Sequence, residues 1–309
     1  MQVILNKKAC GGKAIKKWER VCKPLNLSYG STEIFCVGRN GSDIEFILNS
    51  IKKGKTDFVI AGGDGTLNHL LNVLINLREP DYLCQVRIGA VGIGSSNDFH
   101  KPFLSKNILN RIPYKLNFNK AFQRDVGCLQ FECNGMLLKK YFLINASLGI
   151  TAEGNNFFNN PDSILEYLKK FNTQSAITYA AIKNIFTYKN FFGEIRSNNK
   201  IFGTNITNIG IIKCPFFSGK LRYQSTPLLN NGLFDVHLFH SFKKWRLLDL
   251  FYNLGNGVSD NSFNKKFWRT NKLKITSQNE FAVEFDGEVI RTKSVEFSVI
   301  PRLIKVCIN

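Results

Sequence analysis

Three short stretches of this 309-residue chain set glycines beside carboxylates or small polar groups in patterns suited to phosphate chemistry. The first is Gly62-Gly63-Asp64-Gly65-Thr66-Leu67-Asn68, entered from the apolar run Phe58-Val59-Ile60-Ala61. Glycines take positive φ and let the backbone approach a phosphate, and a helix starting there offers unpaired N–H groups at the positive end of its dipole. Asp64 would repel a phosphate unless it serves a cation or orients another group. A tight turn with Thr66 as helix cap is the alternative. The second stretch, Gly92-Ile93-Gly94-Ser95-Ser96-Asn97-Asp98-Phe99, also follows an apolar run and adds a second carboxylate; a capped strand-to-helix turn explains half of it without a ligand. The third, Glu284-Phe285-Asp286-Gly287-Glu288, is first of all a hairpin turn, because Asp-Gly sits between two strand patterns. Glu288 reads equally well as a solvated strand residue.

The elements that must carry these loops follow from hydrophobic periodicity. Val3 to Asn6, Glu33 to Val37, Asp57 to Ala61 and Arg87 to Val91 read as strands. Lys13 to Cys22, Ser42 to Lys53 and Thr66 to Leu77 repeat apolar residues at three-to-four spacing and read as helices. That alternation predicts a parallel sheet covered on both faces, with ligands beyond the carboxyl ends of its strands. After about residue 125 the rhythm changes. Cys128 to Cys133, Leu138 to Asn145, Phe202 to Ile209, Leu233 to Phe239, Lys272 to Thr276, Phe281 to Phe285 and Ser294 to Val299 read as short strands, interrupted by helices at Ser175 to Tyr188 and Trp245 to Leu254. They predict an antiparallel sandwich. The Asn-rich patches Asn155-Asn156 and Asn159-Asn160 read as loops. The expected organisation is an α/β domain over residues 1–125 and a mainly antiparallel β-sandwich domain over 126–309, the last strand returning to the first domain.

Composition narrows the chemistry. The net charge is +19, split between residues 1–125 (19 basic, 10 acidic) and 126–309 (23 basic, 13 acidic), with no basic tail. Such a field favours nucleotide phosphates, nucleic acid or an anionic lipid surface. No apolar run reaches the roughly 18 residues of a spanning helix, and the apolar start before Lys7 is too short for a signal peptide, so a cytoplasmic location is expected. The eight cysteines contain no C-x-x-C pair, which argues against zinc-ribbon and thioredoxin chemistry and leaves buried thiols. His69, His100, His237 and His240 form no metal-binding pair by spacing, and there is no Gly-x-Ser-x-Gly elbow.

Taken together, Asn6 to Ala14, Gly62 to Asn68, Gly94 to Phe99, Asn145 to Gly149, Pro227 to Val236 and Asp286-Gly287-Glu288 resemble, in order and spacing, the diacylglycerol kinase catalytic-domain family in its short bacterial form, related to sphingosine and ceramide kinases. Gly-Gly-Asp-Gly-Thr alone is shared with NAD kinases; Asn97-Asp98-Phe99 with the late Asp-Gly-Glu is more specific to lipid kinases. The resemblance implies an NAD-kinase-like and diacylglycerol-kinase-like α/β domain, and ATP-dependent phosphorylation of a lipid hydroxyl with Mg²⁺. It assigns the nucleotide to Asn6, Gly62, Gly63, Asp64, Gly65, Thr66, Asn68, Ser95, Asn97 and Asp98, and makes Glu288 the proton acceptor with Asp286 as its partner. Lys13 is a candidate phosphate partner or an exposed helix-start lysine.

The chain departs from the family at several positions. His69 stands where Glu is usual, Val37 where a Thr lies near the nucleotide, and Lys7 where Pro follows the first Asn. The family's structural Mg²⁺ site uses the Asp of an Asp-Gly pair, which here is Asn231 before Gly232, with carbonyls from Leu228 and Leu233. A neutral amide is a poorer ligand for a hard cation; Asp235 is the nearby carboxylate. Lipid access is expected at Phe242-Lys243-Lys244-Trp245-Arg246 and Phe263-Asn264-Lys265-Lys266-Phe267-Trp268-Arg269, where rings and cations alternate as in an interfacial contact. The alternative there is that the aromatics are core and the cations solvated. The expected partners are a lipid substrate at an anionic membrane surface, met peripherally, and a second copy as a homodimer, with no nucleic acid. Competing readings are a soluble nucleotide kinase of NAD-kinase type and a weakened homologue that binds lipid or nucleotide without turnover.

Overall fold

The structure, a computed structural model, describes residues 1–29, 33–37, 42–77, 80–257 and 264–308. The chain divides into two compact units, one of Met1–Asp125 with Pro301–Asn309 and one of Val126–Ile300.

In the first unit the order is β1 (Gln2–Leu5), α1 (Ala14–Tyr29), β2 (Glu33–Cys36), α2 (Ser42–Lys52), β3 (Asp57–Gly62), α3 (Asp64–Asn76) and β4 (Arg87–Gly92). The strands pair in parallel in the order β2-β1-β3-β4. Residues 305 and 306 of the last strand, Glu288–Ile308, extend the sheet beside Arg87 and Ile88. β3 and β4 are buried along nearly their whole length, which is why they read as unbroken apolar runs. One face is covered by Ala14, Trp18, Val21 and Leu25 of α1. α3 buries Leu67, Leu70, Leu71 and Leu74, one stripe at helical spacing. α1 runs past its expected end at Cys22 with Pro24 inside it.

The second unit is antiparallel. Lys265–Thr270, Phe234–His240, Lys200–Ile212, Phe191–Ser197, Lys272–Phe285 and the strand from Glu288 are neighbours in that order, and Asn145–Gly149 fits between Lys200–Ile212 and Lys272–Phe285. The sequence predicts an antiparallel sandwich of short strands; the strands are antiparallel but longer, reaching 13 and 14 residues in Lys200–Ile212 and Lys272–Phe285, and their hydrogen bonding is continuous. Register shifts between Ile206 and Asn208 and between Thr276 and Phe281 interrupt the ladders. The hairpin strand Met136–Phe142 brings Phe142 into the core, stacked on Phe234 at 5.6 Å and edge-on to Phe297 at 6.3 Å.

Among the described residues, four helices sit in this unit: Ile150–Asn159, Ser163–Phe171, Thr173–Thr187 and Lys244–Asn256. The first corrects the loop reading of the Asn-rich patch. Half-buried Asn155 and Asn156 and exposed Asn159 belong to a helix whose start, Ile150, Thr151 and Ala152, is buried. Gly149 makes the direct strand-to-helix junction: its φ is +91°, and a Cβ there would lie 2.3 Å from the Thr207 carbonyl oxygen. Phe191–Ser197 and Lys265–Thr270 are strands that the sequence pattern did not reveal.

Candidate active site

In the first unit the candidate loops leave the carboxyl ends of adjacent strands: residues 6–13 after β1, 63–66 after β3 and 93–100 after β4. They are bonded into one body. Asn6 Nδ2 donates to Thr66 Oγ1 at 2.9 Å, while its Oδ1 accepts from the Lys8 N–H at 3.0 Å. The N–H groups of Ile93 and Gly94 both donate to the Gly62 carbonyl at 3.0 Å. Asp64 accepts from the Asp98 and Phe99 N–H groups at 3.0 and 3.1 Å. Of the two tasks open to Asp64, this is orientation of another group: both carboxylate oxygens hold the second loop.

The glycines serve proximity rather than unusual φ. Gly62, Gly63, Gly65, Gly92 and Gly94 are absent from the positive-φ residues. A Cβ on Gly94 would lie 2.4 Å from Gly63 Cα, so the two loop backbones touch. Thr66 is not the helix cap; Gly63 is, and Thr66 lies in the first turn with its hydroxyl facing Asn6. Asn97 adopts the left-handed conformation at φ +51° and donates to the Gly92 carbonyl at 3.0 Å. Asp98 forms a buried ion pair with Lys101 at 2.6 Å. Asn68 is buried in α3 and accepts from Asn72 at 2.9 and 3.1 Å, a structural contact within the helix.

Several residues of these loops face solvent. Ser95, Lys7, Lys8 and Lys13 are exposed. Gly11 and Gly12, at φ +63° and +85°, border open space: a Cβ on either would meet nothing within 4 Å. Lys17, a residue of α1 that the sequence did not single out, reaches across to the carbonyls of Ile93 and Gly94 at 3.3 and 3.1 Å. Val37 extends β2, its N–H bonded to the Leu5 carbonyl at 2.9 Å. His69 Nε2 meets the carboxylate of buried Asp43.

In the second unit, Asp286 and Gly287 form the hairpin loop itself, both at positive φ (+47° and +93°), with Phe285 paired to Glu288. Asp286 is 2% exposed and accepts three backbone N–H groups: Leu143 at 2.7 Å, Ile144 at 2.9 Å and Asn145 at 3.1 Å. That explains why the expected strand Leu138 to Asn145 breaks in two, since at the break these donors turn to a carboxylate. Glu284, buried, accepts from the Gly287 N–H at 2.9 Å and the Ser147 hydroxyl at 2.8 Å. Glu288 alone of the three acids is exposed.

The expected metal ligands Leu228, Asn231 and Leu233 do converge, but on Lys213. Its Nζ donates to the Leu228 carbonyl at 2.6 Å, the Leu233 carbonyl at 2.9 Å and Asn231 Oδ1 at 3.2 Å. Asp235 accepts from Arg269 through Oδ1 at 2.8 Å, while its buried Oδ2 has no hydrogen-bond partner among the described residues. The described residues contain no group of three or more His, Cys, Asp or Glu side chains fit to hold a metal.

The aromatic patches divide. Phe242 is core, with the Arg246 guanidinium 4.8 Å from its ring centroid. Trp268 packs against the core and donates to Ser197 Oγ at 3.0 Å. Phe263 lies outside the described residues. Trp245, Leu248 and Tyr252 stand 63%, 54% and 71% exposed along one face of their helix. Among the described residues no helix is long and apolar enough to cross a membrane.

Residues 1–120 match the family profile of the diacylglycerol kinase catalytic domain. A relative in Shewanella frigidimarina named "Probable lipid kinase YegS-like" is 24% identical over 262 residues, 85% of this chain and 79% of that protein. A solved diacylglycerol kinase from Bacillus anthracis superposes with a TM-score of 0.69 at 14% identity, covering 100% of this chain and 96% of that one. A second solved chain from the same organism gives 0.71 at 17%, with the same coverage. Over residues 1–120, then, the chain is similar to the diacylglycerol kinase catalytic domain, and its full-length relatives carry lipid kinase names.

Proposed function

We propose that the chain is an ATP-dependent lipid kinase that phosphorylates a lipid hydroxyl, with diacylglycerol or a related lipid as acceptor and Glu288 as general base. The observation that carries this reading is the division among the three acids of the late hairpin. Glu284 and Asp286 are buried and spend their oxygens on backbone and hydroxyl donors, whereas Glu288, two residues on from Asp286, is exposed on a turn those bonds hold rigid. A positioned, solvent-facing carboxylate is what an incoming hydroxyl requires as proton acceptor, an effect of about 10²–10⁴-fold. Asp286 is then a positioning residue.

MgATP enters as substrate, and its ion neutralises charge on the phosphoryl group in transfer. The side chains of this protein position it. The start of α3, a 13-residue helix capped at Gly63, presents the positive end of its dipole. The reading assigns phosphate contacts to Ser95 and to lysines 7, 8 and 13, all exposed on the neighbouring loops. Asn6, Asp64 and Asn97 keep the loops in register without needing to touch the nucleotide.

For the lipid side, the reading assigns contact with an anionic bilayer surface to Trp245, Leu248 and Tyr252. Lys243, Lys244 and Arg246 flank them, and Ile182 and Phe186 of the neighbouring helix are exposed as well. Rings enter the headgroup region while cations meet lipid phosphates.

The test is incubation with labelled ATP, Mg²⁺ and mixed micelles of diacylglycerol, ceramide or sphingosine, with NAD in parallel. Label in the lipid fraction is the expected outcome. Label in NAD would replace the lipid assignment, and ATP binding without transfer would make the chain a silent homologue.

A further inference from the structure

A fully buried lysine is the least expected feature of the second unit. Lys213 is 0% exposed and follows the strand Lys200–Ile212. A buried ammonium is costly unless its donors are met. Here the loop after Pro227 folds around it. The carbonyls of Leu228 and Leu233 and the amide oxygen of Asn231 accept from its ammonium at 2.6, 2.9 and 3.2 Å. Asn231 also accepts the Leu233 N–H at 3.2 Å, and Gly232 between them sits at φ +72°.

An ammonium has three donors and no acceptor, which suits a surround of oxygens, whereas a neutral amine would turn a lone pair toward one of them. These separations are hydrogen-bond lengths, well beyond the roughly 2.0–2.1 Å of Mg²⁺–oxygen bonds. The charges also balance. A divalent ion with an aspartate contributes 2 − 1 = +1, and a lysine with an asparagine contributes 1 + 0 = +1. Asn231 and Lys213 together therefore present the same net charge as an aspartate with a divalent ion.

We propose that the Lys213 ammonium is the built-in structural cation of this unit, standing where the family resemblance places a divalent ion, and that the 228–233 loop takes no metal. The proposal concerns stability and stands apart from the kinase reading and from the ion that accompanies ATP.

The experiment uses the full chain without nucleotide. Metal content after dialysis is measured by mass spectrometry, and thermal unfolding is followed with EDTA, Mg²⁺ or Ca²⁺. The expected result is no stoichiometric divalent ion and no shift of Tm with EDTA. One retained ion per chain, with a fall in Tm on EDTA that Asn231→Ala abolishes, would overturn the proposal. Lys213→Met should lower Tm by several degrees or prevent folding; a variant as stable as the parent would also overturn it. In Lys213→Ala with Asn231→Asp, Mg²⁺ should raise Tm saturably, since a ligand bound only by the folded state stabilises it. Failure of that double variant to respond to Mg²⁺, folded or not, would refute the exchange.

Discussion

Lys213 and Asp286 are joined through a single residue. The Ile144 carbonyl accepts from the Lys213 N–H at 3.0 Å, and the Ile144 N–H donates to Asp286 Oδ1 at 2.9 Å. The lysine whose side chain closes the 228–233 loop thus shares a residue with the acid that sets the Asp-Gly-Glu hairpin.

This linkage separates the two acids experimentally. Glu288→Gln keeps shape and removes the base, so transfer should fall by about 10²–10⁴-fold with ATP affinity and Tm unchanged. Asp286→Asn puts an NH₂ among backbone N–H donors and should cost about 1–3 kcal/mol of stability, seen as a lower Tm. Normal turnover in the first variant rejects Glu288 as base; an unshifted Tm in the second rejects the positioning role of Asp286.

Gly94→Ala tests the contact between the two glycine loops. Its Cβ would lie 2.4 Å from Gly63 Cα, with backbone on both sides, so the loops must part. Nucleotide affinity should drop about tenfold or more, at ~1.4 kcal/mol per decade. Titration with a fluorescent ATP analogue reads this directly, and parental affinity would separate the loop contact from nucleotide binding.

Acid should weaken the fold through buried imidazoles. Burial, then the charge of Lys115, pushes His100 down to about 3; burial, then Lys265, pushes His237 down to about 4. Unfolded, both titrate near 6.5. Below that pH the unfolded chain takes up protons that the folded chain refuses. The stabilisation is therefore fully present above about pH 6.5 and lost as pH falls toward 4, at roughly 1.4 kcal/mol per pH unit for each residue. His237 stacks between Tyr223 (5.1 Å) and Phe267 (4.9 Å) and its ring nitrogens have no hydrogen-bond partner among the described residues. His237→Phe should accordingly flatten the decline of Tm between pH 6.5 and 4.5. An identical decline in that variant would acquit His237.

Trp245→Ala with Tyr252→Ala should reduce binding to vesicles containing anionic lipid, while Tm stays constant because both rings are more than 60% exposed. Raising salt should weaken parental binding through the flanking cations. Sedimentation with vesicles measures both effects, and undiminished binding by the double variant would move the lipid contact elsewhere.

Much of the strand–helix order of the first unit was legible because β1, β3, β4 and α3 bury local patterns: unbroken apolar runs for strands, a four-residue stripe for the helix. The three chemical loops were legible for the same reason, since glycines and carboxylates cluster within a few residues. Ile150–Asn159 and Lys265–Thr270 were not, because an asparagine-rich helix and a basic edge strand are held by partners distant in sequence.

By itself, then, the sequence determined which residues are able to do chemistry and in what order they occur, because glycine, carboxylate and apolar spacing are properties of neighbours. Only the tertiary structure decided how each carboxylate is employed. In one dimension Asp64 could serve a cation and Asp286 is a hairpin-turn acid, yet both place oxygens on N–H groups, at 98 and 99 and at 143–145. Lys213 looks like any surface cation, yet it lies at the centre of three oxygens from a loop 15–20 residues away. A buried polar group must find its partner wherever the fold brings one, and that partner leaves no trace in the residues beside it.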